Sequence, residues 1–243
     1  MTSAVLADLA PSGTLRAAIN FDNRILATKS AAGEPGGISV ELAREVARRL
    51  AVPVAFVPYD GAARVVEGLD AAAWDICFLA IDPRRAEKIA FTPPYVVIEG
   101  AYLVPEASPI RDNADVDRGG VRVAVSAGSA YDLHLSRSLK HATIVRATTA
   151  KEVLPMFLAQ KLEVAAGVRP MLEADARAIP GLRMLPGRFM AIEQALGTPR
   201  GRDAGARWLA EFVEETKASG FVAESLARNR AAGAAVAPAG RGR

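Results

Sequence analysis

Two places in this sequence combine a residue that can hold an anion with local chemistry that would aim it. Asp82-Pro83-Arg84-Arg85 follows the apolar run over residues 75–81. Asp can cap a helix and Pro is tolerated in the first turn, so a short helix opens there. Arg85 then sits just beyond the C-terminus of a strand, the edge at which open α/β sheets collect their ligands. Its guanidinium is a planar fork of donors that fits a carboxylate in a bidentate pair. The bland alternative is a surface arginine among 30 basic residues. The second place is Ser126-Ala127-Gly128-Ser129, which follows the run over 121–125 and opens a helical stretch. A hydroxyl and free N–H groups at a helix N-terminus can hold an anion. A cap with no ligand role would look the same.

The other chemistry-bearing residues speak against nucleophilic or metal-dependent catalysis, and no catalytic residue, metal or cofactor is assigned. Cys77 is the only cysteine, so no internal disulfide can form. It lies in Trp74-Asp75-Ile76-Cys77-Phe78-Leu79, which reads as a buried strand, and a thiol there is a core group. His134 and His141 share one helical stretch without an accompanying cysteine or acid pattern. The formal net charge is only +3, and arginines interleave with acids except in the terminal group Arg228, Arg230, Arg241 and Arg243. With neither a basic face nor a recognition motif, no nucleic-acid partner is expected. Aromatic residues make up 6% of the chain, which leaves little surface for stacking sugars or bases. No run approaches the ~18 apolar residues of a membrane span, so no membrane insertion is expected. Residues 1–10 lack the basic and long apolar regions of a secretory signal. As written, the chain is expected in the cytoplasm, and in the periplasm if a leader has been removed. Nothing marks an oligomer, so a monomer is expected.

These residues need a scaffold, and the 243-residue chain suits one large or two modest lobes. Strands read at 14–19, 52–57 and 75–81, alternating with helices at 38–50 and 62–69; residues 22–36 read as a loop or loose hairpin. Strand–helix alternation is the grammar of a parallel α/β sheet. A strand at 101–104 and a polar stretch at 105–117 follow, and the pattern then restarts near residue 120. Its strands are 121–125, 143–146 and 164–168, and its helices 130–139, 150–159 and 170–178. A returning strand at 190–197 and helices at 201–220 and 221–228 close the pattern. Residues 1–11 and 231–243 read as flexible ends.

Several segments, in order, carry a family likeness. They are Gly37-Ile38-Ser39-Val40-Glu41-Leu42-Ala43, then Trp74-Asp75-Ile76, then Pro83-Arg84-Arg85 running through Phe91-Thr92-Pro93-Pro94-Tyr95. In the second half, Gly119-Gly120-Val121-Arg122-Val123-Ala124-Val125 leads into the Gly128-Ser129 turn. Together, over roughly residues 12–230, they resemble family 3 extracellular solute-binding proteins, the polar amino-acid receptors of ABC importers. The resemblance implies an α/β, two-lobed type II periplasmic-binding-protein fold. Each lobe would be a mostly parallel sheet flanked by helices, and two hinge strands would join them. Lobe 1 would hold residues 12–104 and 193–230, and lobe 2 residues 105–192. It also implies a Venus-flytrap closure on a small solute and an ABC permease as partner.

For the site, the resemblance implies that Arg85 grips a ligand carboxylate and that Ser129 is a second anchor. The loop after the first strand supplies Asn20, Phe21 and Asn23, with Phe21 as a lid and Asn23 as a hydrogen-bonding group. Tyr131 and Gln194 are further candidates. Two departures narrow the ligand. Phe78 and Ala80 stand where amino-acid receptors usually carry Ser or Thr, and Val168 stands where they carry an Asp for the ligand's ammonium. Arg169 follows at once, so an ammonium near Arg85 and Arg169 would be poorly compensated. The expected ligand is therefore a small anionic or carboxylate-bearing metabolite, such as a dicarboxylate or keto acid, rather than a standard α-amino acid. Arg169 as an exposed helix-entry residue remains open, and Glu99 could still supply an acid. Binding without turnover is the main reading. The alternatives are a cytosolic metabolite sensor, or an enzyme on the same scaffold with proton-transfer chemistry like that of cyclohexadienyl dehydratase. The enzyme would need a buried acid, for which Glu173 and Glu99 are the candidates.

Overall fold

The computed structural model describes residues 2–240. Its contacts divide the chain into two compact units. Unit 1 holds the residues up to Val97 and those from Glu193 onward, and unit 2 is Ile98–Ile192. Unit 1 opens with α1 (Ser3–Leu9), β1 (Leu15–Asn20), the short ribbon β2 (Thr28–Lys29) and β3 (Pro35–Gly36), and α2 (Ile38–Leu50). It continues with β4 (Val54–Tyr59), α3 (Ala62–Asp70), β5 (Ile76–Ala80) and α4 (Pro83–Ala86). The long strand β6 (Ile89–Pro105) carries the chain into unit 2. There follow β7 (Arg122–Ser126), α5 (Ala130–Ser138), β8 (Thr143–Ala147), α6 (Ala150–Ala159), β9 (Val164–Val168), α7 (Arg169–Ala178) and β10 (Leu182–Met184). Strand β11 (Met190–Pro199) returns to unit 1, which adds α8 (Asp203–Ala218), α9 (Phe221–Arg228) and β12 (Ala234–Val236).

Local chemistry explains α2. Its apolar positions Ile38, Leu42, Val46 and Leu50 are all buried, as helical spacing requires. Outside, Glu45 accepts from Arg48 and Arg49 at 2.7 and 2.9 Å, and the Arg48 hydrogen bond leads in holding its carboxyl at about 2. Gly37 begins the helix at φ +96°, where a Cβ would lie 2.5 Å from the Leu26 carbonyl oxygen, so only glycine fits.

Each unit is organised around three parallel strands. In unit 1 the order is β4-β1-β5, with β11 antiparallel to β5 and β6 beside β11. Beneath this sheet, Trp74 is fully buried against Val65, Cys77 and Leu79, and its indole N–H donates to the Val65 carbonyl at 2.8 Å. In unit 2 the order is β8-β7-β9, with β6 antiparallel to β9 and β10 beside β6. Phe157, Leu162 and Leu172 fill the core around β7 and β9.

The restart near residue 120 is visible as a repeated ion-pair clamp. Ala17 pairs with Ile76, and Val123 pairs with Val164. One residue earlier on each strand, an arginine meets an acid. Arg16 donates from its backbone N, Nε and Nη2 to Asp75, and from Nη1 to the Ala72 carbonyl. Arg122 donates from its backbone N, Nε and Nη2 to Glu163, and from Nη2 to the Lys161 carbonyl. Even the turn is repeated: Ala72 and Lys161 are non-glycine residues at φ 49° and 50°. Both clamps lie at the N-terminal ends of the parallel strands, so in each unit the C-terminal ends are clear of them.

Three readings of the sequence need correction. Residues 1–11 and 231–243 were expected to be flexible, yet residues 3–9 form α1 and residues 234–236 form β12. Helix α1 packs on α8: Leu9 is fully buried, and the Gly205 N–H donates to the Asp8 carboxylate at 2.9 Å. The end of the chain is tied down by Ala237 N–H to the Tyr95 carbonyl and by Lys217 Nζ to the Pro94 and Pro238 carbonyls. Met1 and residues 241–243, with Arg241 and Arg243, lie outside the described residues. Finally, the strand expected at 101–104 is the end of β6, which starts at Ile89 and contains Pro93 and Pro94. The boundary between the units falls inside it, after Val97, rather than after Val104. No helix among the described residues is long and apolar enough to cross a membrane.

Candidate functional site

Strand order decides where each unit can receive a ligand. In unit 1 the chain leaves β1 through α2 towards β4, whereas it leaves β5 through α4 towards β6 on the other side. The C-terminal ends of β1 and β5 thus diverge, which makes a topological switch point. Unit 2 repeats the arrangement: β7 leads through α5 to β8 on one side, and β9 leads through α7 to β10 on the other.

The unit 1 switch point gathers seven of the sequence candidates. Asn20 ends β1, and its Oδ1 accepts from the Asp22 N–H at 3.1 Å. Phe21 is held by its N–H to the Tyr59 carbonyl, and Lys29 Nζ lies 4.4 Å from its ring centre. Asn23 accepts from two backbone N–H groups through its carbonyl, while its side-chain Oδ1 is buried without a hydrogen-bond partner. From β5, Phe78 and Ala80 are each buried, at 4% exposed. Phe78 meets Tyr95 edge-on at 6.2 Å, and Ala80 pairs with Gln194 of β11. The helix after β5 starts as its residues dictate, with the Asp82 carboxylate accepting from the Arg84 N–H at 2.9 Å.

Arg85 is a buried charge of unit 1. It is 4% exposed and donates from Nη1 to the Ala80 carbonyl at 2.9 Å. Desolvation pulls its pKa down to about 10, against the opposing pull of Asp82 and Cys77. Burial also pushes the Cys77 thiol up to about 12, against the Arg85 charge and the Gly197 N–H, so this cysteine is an inert core group.

The unit 2 switch point holds the other four candidates. Ser129 caps α5 by accepting from the Asp132 N–H at 3.0 Å. Asp132, 4% exposed, accepts in return from the Gly128 N–H at 2.8 Å and is gripped by Arg146 Nε at 3.0 Å. The Ser129 N–H is spent on the Ser126 carbonyl and the Ala127 N–H on the Ala147 carbonyl. The turn is thus held from within, and Tyr131 follows it, buried in the first turn of α5. Tyr102 packs behind this edge, stacked on Phe189 with ring centres 4.3 Å apart.

Arg169 and Glu99 meet each other. Antiparallel pairing of Gly100 with Val168 sets them side by side, and Arg169 Nε donates to Glu99 at 2.7 Å. Arg169 also reaches the Gly187 carbonyl and Glu173, the latter at 3.6 Å, and Arg188 adds a second guanidinium to Glu99 at 3.2 Å. Arg169 is therefore a committed cation, and Glu99 a committed acid. Asp132, Arg146 and Arg188 were not singled out from the sequence. Asp132 had a signal, since Ser129 and Asp132 are spaced as in a capping box; the partners of Glu99 had none. Among the described residues no group of three or more His, Cys, Asp or Glu side chains is placed to hold a metal.

Comparison with known proteins follows the same architecture. The profile of bacterial extracellular solute-binding proteins, family 3, matches residues 15–229. The chain belongs to this family. Solved structures similar to this solute-binding protein include the solute receptor for L-cysteine of Neisseria gonorrhoeae. It is 21% identical with a TM-score of 0.79, over 94% of this chain and 93% of that one. The P235GK mutant of the arginine-binding protein from T. maritima is 19% identical with a TM-score of 0.78, over 92% and 98%. The ancestral amino acid-binding protein AncCDT-1, a precursor of cyclohexadienyl dehydratase, is 22% identical with a TM-score of 0.77, over 92% and 97%. At these identities the likeness establishes the fold, the type II periplasmic-binding-protein fold, for this solute-binding protein too. No curated protein sequence matched.

Proposed function

We propose that this solute-binding protein takes a small solute through its carboxylate, with Arg85 as the anchor. The observation that carries the reading is the burial of the Arg85 guanidinium at the unit 1 switch point, where desolvation outweighs the pull of Asp82. A buried cation in that condition gains most from an anion that brings hydrogen bonds with it. Asn23, with a buried side-chain oxygen that lacks a partner, adds a group suited to a donor on the solute. The similar structures are described as amino-acid receptors, for cysteine and arginine among others. The family resemblance implies an acid at the end of β9, where this chain has Val168 and Arg169, and we assign it a carboxylate-bearing solute that is not a standard α-amino acid. An ABC permease partner and a monomeric state belong to the same proposal.

Enzymatic turnover is the weaker alternative. The side chains of Glu99 and Glu173 are 38% and 40% exposed and both are paired with Arg169, so neither is the desolvated acid that proton transfer would need.

The test is a thermal-shift screen of carboxylic acids with and without an amino group. A solute at 100 times its Kd adds about 2.7 kcal/mol of native stability. At about 2–4 °C per kcal/mol for a chain of this size, that raises Tm by about 5–10 °C. Arg85→Met abolishes the shift if Arg85 is the anchor. A stabilising solute that lacks a carboxylate, or an unchanged shift in Arg85→Met, overturns the proposal.

A further inference from the structure

We infer that unit 2 carries a separate binding site for a small apolar monocarboxylate, in a cleft between the last turn of α6 and the start of β10. The cleft has a volume of about 280 Å³, and its lining residues all belong to unit 2. It lies beside the turn that leads into the N-terminal end of β9, whereas the switch point lies at the C-terminal end of that strand. It is therefore independent of the Arg85 reading.

The walls ask for an apolar body. Phe157 and Leu162 line the cleft and also belong to the buried core of unit 2. Leu158 lines it too and is 41% exposed; it and Ile81 are the exposed large apolar side chains among the described residues. Pro105 and Pro180 add apolar surface and bring no N–H. The neighbouring backbone donors are spent: Lys161 N–H on the Leu158 carbonyl, Leu162 N–H on Phe157, and Glu106 N–H on Gly181. Such walls offer contact area and few hydrogen bonds. At about 30 Å³ per water-sized group the volume takes about nine groups, the size of a short alkyl chain or a single ring with its carboxylate.

Lys161 supplies the charge, as the one charged residue lining the cleft. Its backbone is fixed at φ 50°, and its carbonyl accepts from Arg122 Nη2 at 2.6 Å. The matching turn of unit 1 has Ala72, so the turn belongs to the repeat and the lysine to unit 2. The acid two residues on, Glu163, is taken by Arg122 at 2.8 Å, and the Lys161 ammonium makes no ion pair among the described residues. Arg183, next to Leu182, is committed to the carbonyls of Glu106, Ser108 and Ile110. A carboxylate on an apolar body meets both demands: the body covers Phe157, Leu158 and Leu162, and the charge pairs with Lys161. A dianion would find one cation only, and an ammonium would face that cation.

The experiment is methyl-resolved NMR of the full chain labelled at leucine. It is titrated with hexanoate and benzoate, and with their neutral counterparts hexanol and benzyl alcohol. The methyl signals of Leu158, Leu162 and Leu182 shift and saturate with each acid, while the leucines of unit 1 report separately on Arg85. Each acid binds the cleft about three- to fivefold more tightly than its alcohol, the range open to an ion pair in contact with water. Lys161→Gln removes that preference by weakening the acids alone, and Lys161→Arg keeps it. Leu158→Asn weakens acids and alcohols together. Cleft leucines that stay still with both acids overturn the inference. So do alcohols that bind as tightly as the acids, or a preference unchanged in Lys161→Gln. Shifts confined to unit 1 refute it while leaving the Arg85 reading standing. Cleft shifts that grow with protein concentration without any acid refute it too, because the occupant is then a second copy of the chain.

Discussion

The two ion-pair clamps offer a comparison in which one molecule is its own control. Asp75 and Glu163 sit at equivalent positions, each accepting three N–H bonds from one arginine of the neighbouring strand. They differ in burial. The Asp75 side chain is 0% exposed and takes a further bond from Arg202 Nη1 at 3.0 Å. The Glu163 side chain is 34% exposed and its arginine 41%. Asp75→Asn removes the charge from a buried site that keeps two guanidinium groups. Breaking a buried pair costs about 3–5 kcal/mol. Arg16 and Arg202 remain 31% and 22% exposed and recover some hydration, so the low end applies, about 3 kcal/mol. Glu163→Gln disturbs a pair in contact with water, worth about 1 kcal/mol or less. At about 2–4 °C per kcal/mol, calorimetry near neutral pH should show Tm falling by about 6–12 °C for Asp75→Asn and by no more than about 4 °C for Glu163→Gln. Equal losses, or a larger one for Glu163, would refute the burial argument. Acid adds a second check. Burial raises the Asp75 carboxyl, but the hydrogen bonds from Arg16 and Arg202 outweigh it and leave the group below its ordinary 3.8. A depressed carboxyl contributes stability above its unfolded pKa and loses it as pH falls through the folded one. The difference between wild type and Asp75→Asn is therefore constant above about pH 5 and closes progressively in acid below pH 3.8.

Two further outcomes follow from packing. Replacing a helical glycine by alanine ordinarily gains about 0.5–1 kcal/mol. At Gly205 the new Cβ would stand 2.7 Å from Leu9 Cδ2 and 2.9 Å from Asp8 Cβ, so Gly205→Ala should lower Tm and expose α1 to limited proteolysis; a raised Tm would show that α1 does not dock on α8. Cys77, fully buried with its thiol pushed up to about 12, should resist a thiol reagent at pH 8 until the protein is denatured, when one equivalent reacts; rapid labelling of the native protein would show that unit 1 opens.

Features whose cause is local were legible in the chain. The periodicity of Ile38, Leu42, Val46 and Leu50 gives α2 directly, because burial of one helical face needs no knowledge of what covers it. The Asp82 and Ser129 caps were equally readable, since each accepts from an N–H two or three residues on. Elements that exist only through docking were missed. Helix α1 is short and its apolar run is broken by Asp8, and it has a reason to form only once Gly205 lets α8 approach it. The strand β12 is made of alanine and valine and is specified by its place beside β6. Pro93 and Pro94 concealed the first half of β6, because proline signals the end of a strand unless the tertiary edge leaves its missing N–H unneeded.

From its residues alone the chain determined the alternation of strands and helices, the restart near residue 120, and the placement of Arg85 and Ser129 just beyond strand ends. All of these follow from nearest-neighbour chemistry and from which faces must be covered. Only the tertiary structure decided what the charges at those ends can do. Arg169 read as a cation offered to the solute, and Glu99 as an acid that could receive one. The pairing of Gly100 with Val168 brings the two together across 70 residues of sequence, and each satisfies the other. A charge is available or spent according to what lies within about 4 Å of it, and that distance is a property of strand register, which the order of residues along the chain does not express.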